Sequence, residues 1–184
     1  MEEKKKRGGK LKWIIIVIVV LGIISAVGGN SEDKGKAKKV GSVNTADNKQ
    51  DTAGEQNTNN KFRAGDIVQT DVLKITYIAV SDYTEYSEYF QPKDGYKYIK
   101  ADFEIENVGN RDEFVGSHKF KCYADGYDMD EKLMEDYWSS ADLSPGKKTQ
   151  GSVYYEVPVN AKDVTLEYET NYFTQDKIIF VVSE

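Results

Sequence analysis

The chain has 184 residues, a formal net charge of −6, one cysteine and one histidine. The single cysteine excludes an intramolecular disulfide, and the single histidine excludes the usual histidine-rich zinc sites. Residues 1–30 carry a charge of +4, residues 31–61 carry +1 and residues 62–184 carry −11. A region at −11 is unsuited to nucleic acid, because phosphate binding requires Lys and Arg, so we expect no nucleic acid partner.

A basic cluster stands directly before the most apolar segment of the chain. Residues 1–10 include Lys4-Lys5-Lys6-Arg7, and the run from Leu11 to Val27 is interrupted only by Lys12. Such a run spans most of a roughly 30 Å hydrocarbon core as a helix. We therefore predict a transmembrane signal anchor over residues 11–29, with the basic tail of residues 1–10 in the cytoplasm and the remainder outside the cell.

A cleaved secretory signal is the alternative, because Ala26-Val27-Gly28 is a small-x-small site. The apolar run exceeds the usual h-region, which favours the anchor over secretion of a cleaved chain. A lipid anchor is excluded, since it requires a cysteine just behind the run and the cysteine of this chain is Cys122. An extracytoplasmic domain without disulfides is common in Gram-positive bacteria.

Residues 30–61 are rich in Asn, Lys, Gly, Thr and Asp and contain no aromatic residue before Phe62. They bury too little apolar surface to offset the entropy of ordering, which predicts a disordered linker. The folded domain is expected over residues 62–184.

Apolar residues alternate with polar ones along this domain, as in β-strands. The pattern predicts strands over 72–80, 97–106, 119–124, 151–157 and 178–182, and another around 164–168. The inward residues include Leu73, Ile75, Tyr77, Ala79, Phe103, Ile105, Val153, Tyr155, Leu166 and Phe180. Asp125-Gly126 predicts a hairpin turn, and the segment from Asp130 to Trp138 is expected to hold one short helical turn. The fold class is therefore all-β, an antiparallel β-sandwich.

Several motifs together resemble one family. Leu143-Ser144-Pro145-Gly146 followed by Val153-Tyr154-Tyr155-Glu156-Val157-Pro158 resembles a Leu-x-Pro-Gly … Glu-Val-Pro signature. Residues 99–109 and 119–126 are similar to a strand-and-turn and a hairpin of the same family, the bacterial surface family known as domain of unknown function 4352. The resemblance implies an immunoglobulin-like sandwich over residues 62–182 and no established active site. Relatives with a second cysteine past the hairpin differ from this chain, which has Tyr127, Asp128 and Met129 there.

Two arrangements suggest chemistry. Strand alternation places His118 and Cys122 on the same side, which is the geometry of a Cys–His dyad in a cell-envelope hydrolase; the alternative is a buried, inert thiol. Asp125, Asp128 and Asp130 offer hard oxygen ligands on a hairpin, which suggests Ca²⁺, although their spacing does not match the twelve-residue calcium loop. We expect no resident metal or cofactor, with a Ca²⁺-responsive surface module as an alternative.

The segment from Ser81 to Gly95 carries Tyr83, Tyr86, Tyr89 and Phe90. Exposed aromatic side chains dominate many interfaces, so these four are the predicted partner-binding residues, unless they pack over the edge of the sheet. The sequence thus predicts a membrane-tethered binding module without catalytic activity, whose partner is another envelope protein or a cell-wall component.

Overall fold

The computed structural model describes residues 37–43, 61–171 and 176–184. These residues form twelve strands and one 3₁₀ turn, Ser117–Lys119, and no α-helix. The strands are β1 Lys38–Ser42, β2 Lys61–Phe62, β3 Asp66–Gln69, β4 Leu73–Tyr83, β5 Tyr96–Asn107, β6 Glu113–Gly116, β7 Phe120–Ala124, β8 Tyr127–Met129, β9 Ser140–Leu143, β10 Lys148–Pro158, β11 Val164–Asn171 and β12 Asp176–Ser183.

Two five-stranded sheets pack face to face. The first sheet has the order β1-β3-β4-β5-β10, the second has the order β2-β12-β11-β7-β8, and β6 pairs with β9 in a separate ribbon. Every pairing is antiparallel except β2 with β12. The all-β sandwich prediction is confirmed.

Aromatic side chains from both sheets meet in the core. Phe103 of the first sheet lies 4.6 Å from Phe120 and 5.0 Å from Phe180 of the second, measured between ring centroids. Tyr77 stacks on Phe103 at 4.9 Å and donates a hydrogen bond to the Val181 carbonyl at 3.2 Å. The residues predicted to point inward are buried, with the exception of Ala79.

Ala79 is displaced by a β-bulge in β4. The register slips between Tyr77 and Ala79, after which Val80 pairs with Ala101 on the core side. Val80, not Ala79, therefore packs against the core. An extra residue in one strand reverses the alternation beyond it, which a strict period of two does not anticipate.

The predicted hairpin turn is present, and the Leu-Ser-Pro-Gly motif forms a second turn. Asp125 and Gly126 both have positive φ, 49° and 83°, as a two-residue type I′ hairpin requires. In the second turn Gly146 has φ 74° and Lys147 N donates to the Ser144 carbonyl, with Pro145 between them, as in a type II turn.

Asn107 connects the second of these turns to the end of β5. Its side chain is fully buried and donates to the carbonyls of Leu143 and Arg111 at 2.6 and 2.7 Å, while its Oδ1 accepts from Gly109 N at 2.9 Å. The Leu-Ser-Pro-Gly and Asn-x-Gly motifs thus meet through one amide, which gives both a structural role.

Residues 130–138 run along the free edge of β10; we call this segment the strap. Lys132 N and Trp138 N donate to the carbonyls of Tyr154 and Ser152, and Glu156 N donates to the carbonyl of Asp130. The expected helical turn is seen only as one hydrogen-bonded turn, in which Tyr137 N donates to the Met134 carbonyl at 3.1 Å, because the strap also forms backbone hydrogen bonds with β10.

Residues 38–42 belong to the predicted linker but form β1, the edge strand of the first sheet. The linker prediction is wrong over these residues, because backbone pairing with β3 orders a segment that buries little apolar surface. Among the described residues no helix is long and apolar enough to cross a membrane. The predicted segments 1–10 and 11–29 lie outside the described residues.

Candidate binding surface

The tyrosine-rich loop, residues 84–95, joins β4 to β5 at one end of the sandwich, which we call the loop end. The ring of Tyr83 lies edge-on to Tyr154 at 5.0 Å, and its hydroxyl donates to the Glu85 carbonyl at 2.7 Å. The ring of Tyr86 lies edge-on to Tyr98 at 5.4 Å. Two of the four predicted binding residues, Tyr83 and Tyr86, are thus half-buried on the outer face of the first sheet and brace the loop.

The other two predicted residues face solvent. Tyr89 is 88% exposed and Phe90 is 54% exposed. These two consecutive residues lie in a turn of the loop, in which Phe90 N donates to the Ser87 carbonyl at 3.0 Å. Tyr89 and Phe90 are therefore exposed apolar side chains of the loop, whereas Tyr83 and Tyr86 pack on the sheet.

A buried carboxylate fixes the return of the loop to the sheet. Glu156 of β10 is 3% exposed, and its Oε1 accepts a hydrogen bond from Lys93 N at 2.8 Å. Its Oε2 lies 3.1 Å from Lys93 Nζ and 3.2 Å from Lys132 Nζ. Lys93 Nζ also lies 3.3 Å from Asp130. One anionic side chain thus joins the loop, β10 and the strap.

Burial acts to raise the pKa of Glu156, but the hydrogen bonds from Lys93 and the ammonium groups of Lys93 and Lys132 outweigh it and lower the pKa of this carboxyl. The side-chain hydrogen bonds of Lys93 Nζ to Glu156 and to Asp130 raise the pKa of Lys93. The pair is therefore ionised at neutral pH, and its geometry is that of a structural clamp.

A second polar contact holds the strap to the outer face of the same sheet. Lys100 Nζ lies 2.8 Å from Asp136 and 5.5 Å from the centre of the Tyr154 ring, and the Tyr154 hydroxyl donates to Asp136. Burial, followed by the hydrogen bond to Asp136, raises the pKa of Tyr154 to about 12. Tyr154 therefore stays protonated and is the ring against which Tyr83 packs.

Further apolar side chains are exposed next to the loop. Tyr96 is 36% exposed and lies under Lys93 Nζ, 5.7 Å from its ring centre. Val159 is 49% exposed, and its N–H donates to the Gly95 carbonyl. Leu133 of the strap, 66% exposed, follows Lys132 in sequence. The loop end thus collects apolar side chains from the loop, the start of β5 and the turn after β10, while Leu133 adds an exposed apolar side chain on the strap.

A small crevice opens between the two sheets at the same end. Its volume is about 130 Å³, and the ion pair between Asp82 and Lys97, 2.8 Å apart, stands among its lining residues. The apolar part of its lining consists of Val80, Ile99, Val157, Pro158, Ala161, Val164 and Val182. This volume holds one side chain at most, so the crevice is too small for a larger ligand.

The acidic residues predicted to hold Ca²⁺ have other partners. Asp125 Oδ1 accepts hydrogen bonds from Lys162 N and Asp163 N, both at 3.0 Å, which lower the pKa of its carboxyl. Asp130 pairs with Lys93. Within residues 37–43, 61–171 and 176–184, no three His, Cys, Asp or Glu side chains are grouped to hold a metal ion. Asp125, Asp128 and Asp130 are accordingly not brought together as a site.

The Cys122 and His118 arrangement differs from the predicted dyad. Cys122 is fully buried in β7, and burial raises the pKa of its thiol to about 12. His118 lies in the 3₁₀ turn, is exposed and stacks on Phe114 at 5.2 Å. The alternation argument fails because the strand begins at Phe120, after the histidine. A protonated, buried thiol cannot act as a nucleophile.

Sequence reasoning missed the residues that hold the loop, above all Glu156 and Lys93. One signal was present: a glutamate inside the apolar run Val-Tyr-Tyr-Glu-Val-Pro. A charge in such a strand is rarely buried without a partner. The identity of that partner depends on the fold, because Lys93 and Glu156 are 63 residues apart in sequence.

Comparison with known proteins places the domain in context. Residues 62–178 match the family described as "Domain of unknown function (DUF4352)". No curated protein matches the sequence significantly. The crystal structure of ycdA from Bacillus subtilis, a candidate lipoprotein, superposes with a TM-score of 0.53 at 17% identity, over 61% of this chain and 37% of that one. This chain thus spans little more than a third of ycdA.

The yjhA protein from Bacillus subtilis has a TM-score of 0.52 at 16% identity, over 66% of this chain and 98% of its own. At these identities both structures support the fold alone. The family match covers more than half of the chain and includes the loop, the strap and β10. The protein is therefore a member of the DUF4352 family.

Proposed function

We propose that the protein is an immunoglobulin-like binding module without catalytic activity, tethered to the outer face of a bacterial membrane by residues 11–29. Its partner is another envelope protein or a cell-wall component, which contacts Tyr89 and Phe90. The observation that carries this proposal is the pairing of two exposed aromatic rings with a loop whose base is fixed by the buried Glu156 carboxylate.

Fixing the loop before binding matters for affinity. Association costs free energy for every side chain and loop that must be ordered, and a loop that is already braced reduces that cost. Tyr83 and Tyr86 pack on the sheet, and Lys93 joins β10, so both ends of the loop are held. Rigid aromatic side chains in such positions contribute roughly 2 kcal/mol or more each when they are hot spots.

The direction of the strands supports presentation away from a membrane. Lys38, at the start of β1, pairs with Gln69, which in turn pairs with Lys74 near the start of β4. The loop lies at the other end of β4, after Tyr83. A tether that enters through β1 therefore approaches the end opposite to Tyr89 and Phe90. A location at the cell surface also agrees with the description of ycdA as a candidate lipoprotein.

The test is recovery of partners from native membranes by cross-linking and pull-down. The double variant Tyr89→Ser/Phe90→Ser should fold normally and lose the partners, because both side chains face solvent. Phe114→Ser is the matched control, since Phe114 is 49% exposed in β6, outside the loop end. Full recovery by the double variant would place the binding surface elsewhere.

The proposed location of the domain outside the membrane has its own test. Protease added to intact cells should remove the domain and spare a short N-terminal fragment. Protection of the domain would overturn the proposed topology, and a mature protein that begins near Gly28 would show that the signal is cleaved.

A further inference from the structure

The first sheet ends in a strand that comes from the predicted tether. β1 pairs with β3 through Lys38↔Gln69, Lys39↔Val68, Gly41↔Ile67 and Ser42↔Asp66, and the 18 residues from 43 to 60 separate it from β2 in sequence. Four of its five residues are exposed, including Val40 at 53%. β1 is thus held mainly by backbone hydrogen bonds and little by apolar burial.

One side chain of β3 recognises β1. Asp66 is 8% exposed, and its Oδ1 lies 2.7 Å from Lys39 Nζ and accepts from Ser42 Oγ at 3.3 Å. Its Oδ2 accepts from Arg63 N at 3.0 Å, which holds the carboxylate in place.

The two edges of this strand pair differ. β1 carries Lys38, Lys39 and a bulge at Val40, features that discourage pairing with a further strand. β3 reads Asp-Ile-Val-Gln, and without β1 it presents a short apolar edge with unpaired backbone groups. The β3 edge is therefore a strand-binding site, and β1 is the occupant whose fit the structure shows.

From this we infer that β1 exchanges between molecules: residues 38–42 of one copy occupy the β3 edge of a second copy, and reciprocal exchange yields a two-fold dimer. This inference rests on the proposed function for its setting, because anchoring in one membrane concentrates the copies. β1 forms the same contacts with β3 of its own chain as with β3 of a second copy. The local concentration of second copies therefore determines which of the two pairings forms. A strand joined covalently to its site by a short stretch of chain meets that site at an effective concentration on the order of millimolar, which densely tethered chains must approach.

The experiment uses two full-length variants in the same lipid vesicles. One carries Lys38→Cys and the other Gln69→Cys, so a disulfide between them forms only when β1 of one copy lies on β3 of another. The native Cys122 is fully buried and does not compete. Lys38→Cys mixed with Thr84→Cys, an exposed position in the loop, measures cross-linking by collision.

We expect the Lys38/Gln69 mixture to give several times the dimer of the control mixture, with a yield that rises with chain density. Lys39→Glu then has opposite effects in the two chains. In the Lys38→Cys donor it places a carboxylate against Asp66 and lowers the yield about tenfold, the loss expected for a charged hydrogen bond. In the Gln69→Cys acceptor it vacates the β3 edge and raises the yield.

A Lys38/Gln69 yield equal to the control at every density would overturn strand exchange, as would an equal effect of Lys39→Glu in both chains. Repeating the mixture in detergent up to millimolar protein tests exchange without the membrane. Flotation of the vesicles separately reports whether the chain is anchored, so failure of the tether and failure of exchange are distinguishable.

Discussion

The contact between Trp138 and Gly151 makes the packing of the strap on β10 testable. Gly151 lies in β10 directly beneath the indole ring, and a Cβ built on it would overlap three atoms of Trp138, of which Cδ2, the farthest, would lie at 2.6 Å. Carbon atoms prefer separations of about 3.5–4.0 Å, so Gly151→Ala forces the two segments apart by about 1 Å. Rotation of the ring cannot relieve this, because Trp138 Cβ would itself lie at 2.3 Å and the hydrogen bond from Trp138 N to the Ser152 carbonyl holds the backbone in place.

The cost follows from the burial of Trp138, which is 9% exposed. A tryptophan buries about 150–250 Å², so complete loss of this contact costs about 4–6 kcal/mol at about 25 cal/mol per Å². Partial relaxation reduces the cost, since overpacking typically costs about 1–3 kcal/mol. We expect about 3 kcal/mol, which lowers the melting temperature of a domain of this size by about 12 °C.

Thermal unfolding and fluorescence measure this outcome. In a Trp13→Phe background the emission reports on Trp138, because the chain has two tryptophans. Gly151→Ala should shift the emission to the red and lower the melting temperature. In a Trp138→Gly background, which also removes the Cβ that would lie at 2.3 Å, the same substitution should cost less than about 1 kcal/mol, since the clash is gone. An unchanged melting temperature and emission for Gly151→Ala would refute the close packing of strap and strand.

Phe103→Ala should cost about 3–5 kcal/mol, because its ring contacts both sheets, whereas Phe114→Ala at an exposed position should change the melting temperature little; equal effects would contradict the assigned core. The folded-state pKa of Glu156 is lowered, so its stabilisation is present above its unfolded pKa of about 4.3 and is lost as the pH falls through the folded value. Glu156→Gln should flatten that acid dependence in denaturant titrations, and an unaltered slope would argue against the clamp. Cys122 should resist thiol reagents in the native protein and react after unfolding, and rapid native labelling would show the burial to be wrong. Calorimetry with millimolar Ca²⁺ should give no heat, since Asp125 already accepts two backbone hydrogen bonds; a saturable signal would revive the calcium alternative.

The strands were predictable wherever one face is buried. Ile99, Ala101, Phe103 and Ile105 alternate with charged residues, and the same period fits β7, β10 and β11. The burial of the outer face of β10 was not predictable, because Tyr154 and Glu156 are covered by a strap and a loop that are distant in sequence. The sequence pattern shows the periodicity of one strand. The burial of its outer face depends on which distant segments pack against that face in the folded chain.

The candidate site was half predictable for the same reason. Composition located the aromatic loop, but only the fold distinguishes Tyr83 and Tyr86, which pack on Tyr154 and Tyr98, from the exposed Tyr89 and Phe90. β1 was missed because Lys-Lys-Val-Gly-Ser has no apolar alternation. It is ordered by backbone pairing and by a single carboxylate, Asp66, and neither can be inferred from the segment itself.

The antiparallel register of β1 and β3 has a mechanical consequence. A partner held at Tyr89 and Phe90 and an anchor attached ahead of Lys38 would pull on opposite ends of the domain, along the strand axes. Under that load β1 slides against β3, and their hydrogen bonds resist together instead of opening one after another. β1 would then separate from β3 under load before the hydrophobic core is disturbed.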